Sequence, residues 1–234
     1  MHTRRHPSID LPTLDTGVTL LQVDPELGLD PLHTLVVDEL LGTDGSAVWI
    51  DARGHAQSST LWELVPHQGY LDRIHVARGH TPWQHAALLD RLPTLVDDST
   101  RLVVAPAVDG FYRTDDIPQW QAEGLLVRRL ATLAGVSRTH DVPVLLTRTA
   151  VDEFSEPIAT AAHHSLECTD TRFGPRFEGD GHETLVYPEG DGWVQTTITF
   201  WCKILEHRAK RVGEPVEPVT PTGHVTATSG PGRS

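Results

Sequence analysis

The feature that most restricts the fold of this chain is an alternation. Short apolar runs at residues 18–23, 47–51, 74–77, 101–105 and 142–147 are separated by segments with apolar residues at helical spacing. Runs so short and so continuously apolar suit strands covered on both faces. The segments between them bury a single stripe: Leu32, Leu35, Val36 and Leu40, then Ala86, Leu89 and Leu92, then Leu126, Leu130, Leu133 and Ala134 within residues 119–140. A further short helix is expected over residues 57–66, after Gly54. Strands that alternate with amphipathic helices build parallel βαβ units, so the expected class is α/β, a mostly parallel sheet flanked by helices. The punctuation agrees. Gly42-Thr43-Asp44-Gly45 supplies a helix stop, and Thr81-Pro82 an N-cap followed by a first-turn proline.

After Ser165 the pattern changes. SLECT, ETLVYP and WVQTTITFW are strand-like, with residues 189–192 as a hairpin turn between the last two, which predicts an antiparallel C-terminal extension whose last strand covers residues 193–201. The expected organisation is a leader over residues 1–16, one core domain over 17–211, and a Pro- and Gly-rich disordered tail over 212–234 with no core residues.

Charge narrows the setting. The chain carries 32 acidic and 19 basic residues, a net charge of −13, and its only lysines are Lys203 and Lys210. An acidic, Lys-poor composition fits a halophilic protein kept soluble in concentrated salt, where screening shortens the reach of each charge. The alternative is an ordinary acidic protein from a GC-rich genome. Cys168 and Cys202 form no CxxC and are expected to be buried, reduced thiols. No signal peptide or long apolar run is evident, so a cytoplasmic location without a membrane span is expected.

The loop after the first apolar run is where an α/β domain would place a phosphate-binding turn. A working loop of that kind reads GxxxxGK[ST], with backbone N–H groups around the phosphates, a lysine on the terminal phosphates and a hydroxyl on magnesium. Here it reads Asp24-Pro25-Glu26-Leu27-Gly28-Leu29-Asp30-Pro31. No lysine or hydroxyl residue follows Gly28, acids flank the turn, and the prolines remove N–H donors.

Several segments, taken in order, resemble the RecA/RadA recombinase ATPase core over about residues 17–205. AVWIDARG (47–54) resembles the strand that ends in an aspartate, a variable residue, a catalytic glutamate and a glycine. LDRIHVARGHTPWQHAALLDRL (71–92) resembles the next strand and helix, and RLVVAPAVDGFYRTD (101–115) the Walker B strand and its exit. VPVLLTRT (142–149) resembles the sensor strand and TFWCKIL (199–205) the final strand. The resemblance implies a RecA-like P-loop NTPase fold and, with the acidic composition, an inactive paralogue from a halophilic archaeon. It also locates the departures: acids in the phosphate loop, Arg53 in place of the catalytic glutamate, Pro106 at the magnesium-supporting aspartate, and Arg148 with Thr149 at the sensor. An arginine cannot serve as the base, and positioning, base, metal and sensor are altered together.

The degenerate nucleotide site thus comprises Asp24, Glu26, Gly28, Asp30, Asp51, Arg53 and Arg148. No catalytic residue, metal or cofactor is assigned, and the loop gives ATP binding no support. Arg53 and Arg148 either bind an anion or pair with Asp24, Glu26 or Asp30, and the abundance of those acids favours pairing. Asp51 either holds a water or a cation at its strand end or belongs, with Asp109 and Asp115, to a solvated rim. His75, His80 and His85, and likewise His163, His164 and Cys168, have spacings better suited to surface or core histidines than to metal ligands.

The segments 112–124 and 148–164 match the family's DNA-contacting loops but hold few basic residues, Arg113 and Arg148, so nucleic-acid binding is expected to be weak at best. Trp120 and Phe154 suit a partner contact or local packing better than base stacking, and Trp83, Trp120 and Tyr112 are candidate partner-facing aromatics. The family's helix-hairpin-helix domain and polymerisation motif are not expected in this chain. What the resemblance implies is a non-catalytic accessory or regulatory protein of DNA recombination and repair, working through a protein partner such as a recombinase or repair factor. The rivals are a divergent ATP-binding protein or DNA-dependent ATPase with a remodelled phosphate loop, and a non-hydrolysing nucleotide sensor.

Overall fold

A computed structural model describes residues 11–172, 174–179, 182–183 and 197–216. Eight strands form one sheet in the order β3-β2-β4-β5-β1-β6-β7-β8. They are β1 (Gly17–Val23), β2 (Ser46–Ala52), β3 (Ile74–Gly79), β4 (Thr100–Ala105), β5 (Pro143–Leu146), β6 (His164–Thr169), β7 (Arg176–Gly179) and β8 (His182–Glu183). The helices are α1 (Asp30–Leu40), α2 (Ser58–Leu64), α3 (Pro82–Leu95), α4 (Gln119–His140), α5 (Glu156–Ala161) and α6 (Thr197–Val212).

β1 lies parallel between β5 and β6, and β2 parallel between β3 and β4. Because side chains alternate along a strand, each central strand feeds two cores. Leu21, Trp49, Val104 and Leu145 pack with α1, α2 and α6. Leu20, Ile50, Val103 and Leu146 pack with α3, α4 and α5. The mostly parallel sheet with helices on both faces is therefore present, and the apolar runs mark its central strands. Thr81 caps α3 as its sequence predicts, its side chain accepting from Gln84 N at 3.2 Å.

The C-terminal part departs from expectation. β6 is parallel to β1, so the antiparallel portion begins only with β7, which pairs with β6 and β8. Residues 199–205 are not a final strand but lie within α6. Thr199, Phe200 and Trp201 favour extended chain locally, yet Trp201, Ile204, Leu205 and Ala209 recur at helical spacing and are all buried. Burying that stripe in the core shared with α1 and α2 outweighs local preference. Trp201 meets Phe177 of β7 at 5.5 Å between ring centroids, and Arg208 pairs with Asp38 of α1. The predicted hairpin turn at residues 189–192 lies outside the described residues.

Core packing also reaches past the expected domain limits. Leu11 and Leu14, within the expected leader, are buried in the same core as α1, and Val216, within the expected tail, packs against it. Among the described residues no helix is long and apolar enough to cross a membrane.

Candidate functional site

The carboxyl ends of β2, β4, β5 and β1, neighbours in that order, form the edge at which open α/β sheets bind ligands. The loop leaving β1 curls into a 3-10 turn over Pro25–Leu27. Leu27 N donates to Asp24 O at 2.9 Å, Gly28 N to Pro25 O at 3.3 Å, and Asp24 N to Cys168 O at 2.9 Å. These N–H groups are engaged within the protein, and Pro25 and Pro31 have none to offer. Gly28 takes φ +59°, a conformation that favours glycine, on the way into α1. Asp24 Oδ2 accepts from Asp170 N at 2.9 Å, and Glu26 is exposed. Burial and then the charge of Glu63 push the Asp30 carboxyl up from its ordinary range. Phosphate would enter an acidic neighbourhood.

Asp51, near the end of β2, is fully inaccessible. Its Oδ1 accepts from His55 N at 2.8 Å and Ala56 N at 3.2 Å, and its Oδ2 from Arg78 Nε at 2.6 Å. The carboxylate holds the turn after β2 and ties it to β3, so it does not belong to a solvated rim. Inside that turn Arg53 takes φ +64°, a left-handed conformation uncommon for a residue with a side chain. Its guanidinium crosses the edge to Gly110, where Nε and Nη2 donate to the carbonyl oxygen at 3.1 and 2.7 Å. The group lies 5.8 Å from the centre of the Phe111 ring.

Arg148, after β5, turns to β1 and donates from Nη2 to Gln22 Oε1 at 2.6 Å, while its Nε is buried without a partner among the described residues. The favoured pairing of Arg53 and Arg148 with Asp24, Glu26 or Asp30 is thus replaced. A backbone carbonyl and a side-chain amide, reached across neighbouring strand ends, take the place of the acids.

The principal anchor of this edge is Asp109, expected at a solvated rim but fully buried in the loop after β4. Of the three rim candidates only Asp115 is exposed. Asp109 accepts from Thr149 N at 2.8 Å and from Arg113 Nε at 2.5 Å. Arg113 then reaches Asp152 through Nη1 at 2.7 Å and Nη2 at 2.8 Å, and stacks 4.9 Å from the Phe154 ring centre. The Arg113 guanidinium holds the Asp152 carboxyl well below the usual carboxylate range. Asp152 also caps Ser155 in a reciprocal box. Pro106, at the expected metal-supporting position, precedes Ala107, whose N–H donates to Thr147 Oγ1 at 2.8 Å. The loops after β4 and β5 are therefore locked together. Two sequence signals point to this lock: the four-residue spacing of Asp109 and Arg113, and the Asp152–Ser155 capping spacing.

The aromatics and histidines sort by burial. Tyr112 is buried and shares a 3.0 Å hydrogen bond with His85 Nδ1, so it is not partner-facing, whereas Trp83 and Trp120 are exposed. His75 and His80 lie at the surface. His33 and His85 are fully inaccessible, and burial above all pushes each down to about 4. His33 stacks on Trp49, and its Nε2 donates to His55 O at 2.9 Å. Among the described residues no group of His, Cys, Asp or Glu side chains is gathered as a metal site. Cys168 is buried and Cys202 only partly so, and both are free thiols.

The fold and this edge define an open α/β domain with a mainly parallel sheet whose ligand edge is bridged by its own side chains. No family model matches the chain, and no curated protein matches it at significant similarity.

Proposed function

We propose that this chain is a RecA-like domain whose nucleotide site has been closed from within, and that it acts by binding protein partners rather than by hydrolysing ATP. The strand order supports the RecA-like reading. The positions that the resemblance assigns to base, metal support, sensor and phosphate loop fall at the ends of β2, β4, β5 and β1, which are consecutive neighbours. The observation that carries the loss of activity is the occupancy of that edge. Asp51, Arg53, Asp109 and Arg148 are engaged with Arg78, Gly110, Arg113 and Gln22, and the loop after β1 uses the N–H groups of Asp24, Leu27 and Gly28 internally. Phosphoryl transfer needs such groups aimed at phosphate, metal and water.

The process is an accessory or regulatory role in DNA recombination and repair, which rests on the resemblance alone. Arg113 is held between Asp109 and Asp152, so its charge is already compensated and offers little to a DNA backbone. Hydrolysis of radiolabelled ATP and magnesium–ATP calorimetry in concentrated salt test the proposal. Absence of both binding and turnover is expected, and turnover abolished by Asp51→Ala would refute it. A second reading, a sensor that binds nucleotide without hydrolysis, is favoured by the buried, unpartnered Nε of Arg148, and binding without turnover would select it. Affinity capture that recovers no recombinase, polymerase or repair protein would count against the process.

A further inference from the structure

α4 buries one face through Ala122, Leu126, Arg129, Leu133 and Val136. Its opposite face carries Trp120, Gly124, Val127 and Ala131, spaced four, three and four residues apart, while Ala134, the next in that series and expected in the buried stripe, is only partly buried against the core. That is the heptad spacing by which one helix seats against another, and Trp120 and Val127 stand 75% and 50% exposed. A cavity of about 600 Å³ runs beside this face, between α4 and α5, lined by Leu130, Ala131 and Ala161 together with Glu153 and Glu156.

The glycines add an independent sign. A Cβ at Gly124 or Gly135 would meet nothing within 4 Å, so the fold itself does not require glycine at either place. Glycine in a helix interior is less stable than alanine. Close approach of a second helix is a reason to keep it.

We propose that two copies of this chain associate through the outward face of α4, with the two helices parallel. Charge selects both the occupant and its direction. The seam is flanked on the α5 side by exposed Glu123, Glu153 and Glu156 and on the other by exposed Arg128, and its apolar part ends before exposed Arg138, the next place in the series. A two-fold axis along the helices sets the acidic flank of each copy against the basic flank of the other, while an antiparallel pair sets like flanks together. In parallel heptad register, Glu123 of one copy meets Arg128 of the other, the five-residue offset of an interhelical ion pair. Glu123 also accepts from Gln119 Nε2 at 2.9 Å, a neutral donor that leaves its charge available to a second partner. This contact lies apart from the closed strand edge, so it stands or falls independently of the nucleotide reading.

Sedimentation equilibrium of the whole chain, in the lowest salt at which it stays folded, tests this. A concentration-dependent dimer is expected, and Val127→Glu, at an exposed position, should give a monomer with unchanged circular dichroism. Glu123→Arg and Arg128→Glu should each weaken association about tenfold, since the two-fold doubles each altered pair, and the combined charge reversal should restore it. A monomer at every concentration, a dimer indifferent to Val127→Glu, or a charge reversal that fails to restore association would overturn the proposal.

Discussion

Asp109 shows how one residue organises the ligand edge. It is a fully buried carboxylate whose charge is matched by Arg113, so removing Arg113 leaves it uncompensated, whereas removing Asp109 leaves Arg113 its pair with Asp152 but strips the anchor from both loops. Breaking such a pair costs about 3–5 kcal/mol when both groups are deeply buried, and less where one partner retains solvent, as Arg113 does. Asp109→Ala should therefore destabilise the chain by about 2–3 kcal/mol in urea unfolding. Arg113→Ala, which strands the buried Asp109 carboxylate and also frees Asp152, should cost at least as much, and the double variant less than the sum of the singles. His85 gives a pH prediction. Its folded pKa, about 4, lies below the ordinary 6.5, so the unfolded chain binds its proton first and stability is lost as pH falls below 6.5. Glu39, pushed up to about 7 chiefly by burial, acts in the opposite sense, so a comparison of variants isolates the histidine. The stability of the wild type relative to His85→Gln should fall by about 2 kcal/mol between about pH 7.5 and pH 5. A difference that stays constant or grows would contradict the buried neutral imidazole.

At the scale of elements, α6 is the informative case. Leu205 is fully buried, so Leu205→Ala should cost about 2–5 kcal/mol, whereas Lys203→Ala on the exposed face should change stability by about 0.5 kcal/mol or less. If residues 199–205 were a strand, Lys203 and Leu205 would share a face and the two costs would converge. The central strands are legible in the sequence because continuous apolar runs admit few alternatives in a chain with regular helical segments between them. α6 is not, because its threonines and aromatics satisfy strand propensity and only a partner surface reveals the helical stripe. The candidate site divides in the same way. Acids and prolines in the loop after β1 can be read residue by residue. The destinations of Arg53 and Arg148 cannot, because they depend on a left-handed turn and on which strand ends the topology makes neighbours.

For the whole molecule, the net charge of −13 implies self-repulsion that salt relieves. The melting temperature should rise between about 0.1 M and 1 M KCl, as the Debye length shortens from about 10 to 3 Å, and a flat or falling response would contradict the halophilic reading. At the carboxyl edge of the sheet the chain's own side chains bridge the strand ends, which on the proposed function leaves no room for a nucleotide. Thermal unfolding with and without millimolar magnesium–ATP, in salt that keeps the chain folded, tests this most directly. Superimposable transitions are expected. A ligand at about 100 times its dissociation constant adds about 2.7 kcal/mol, or roughly 5–10 °C for a domain of this size, and a rise of that order would contradict the closed edge.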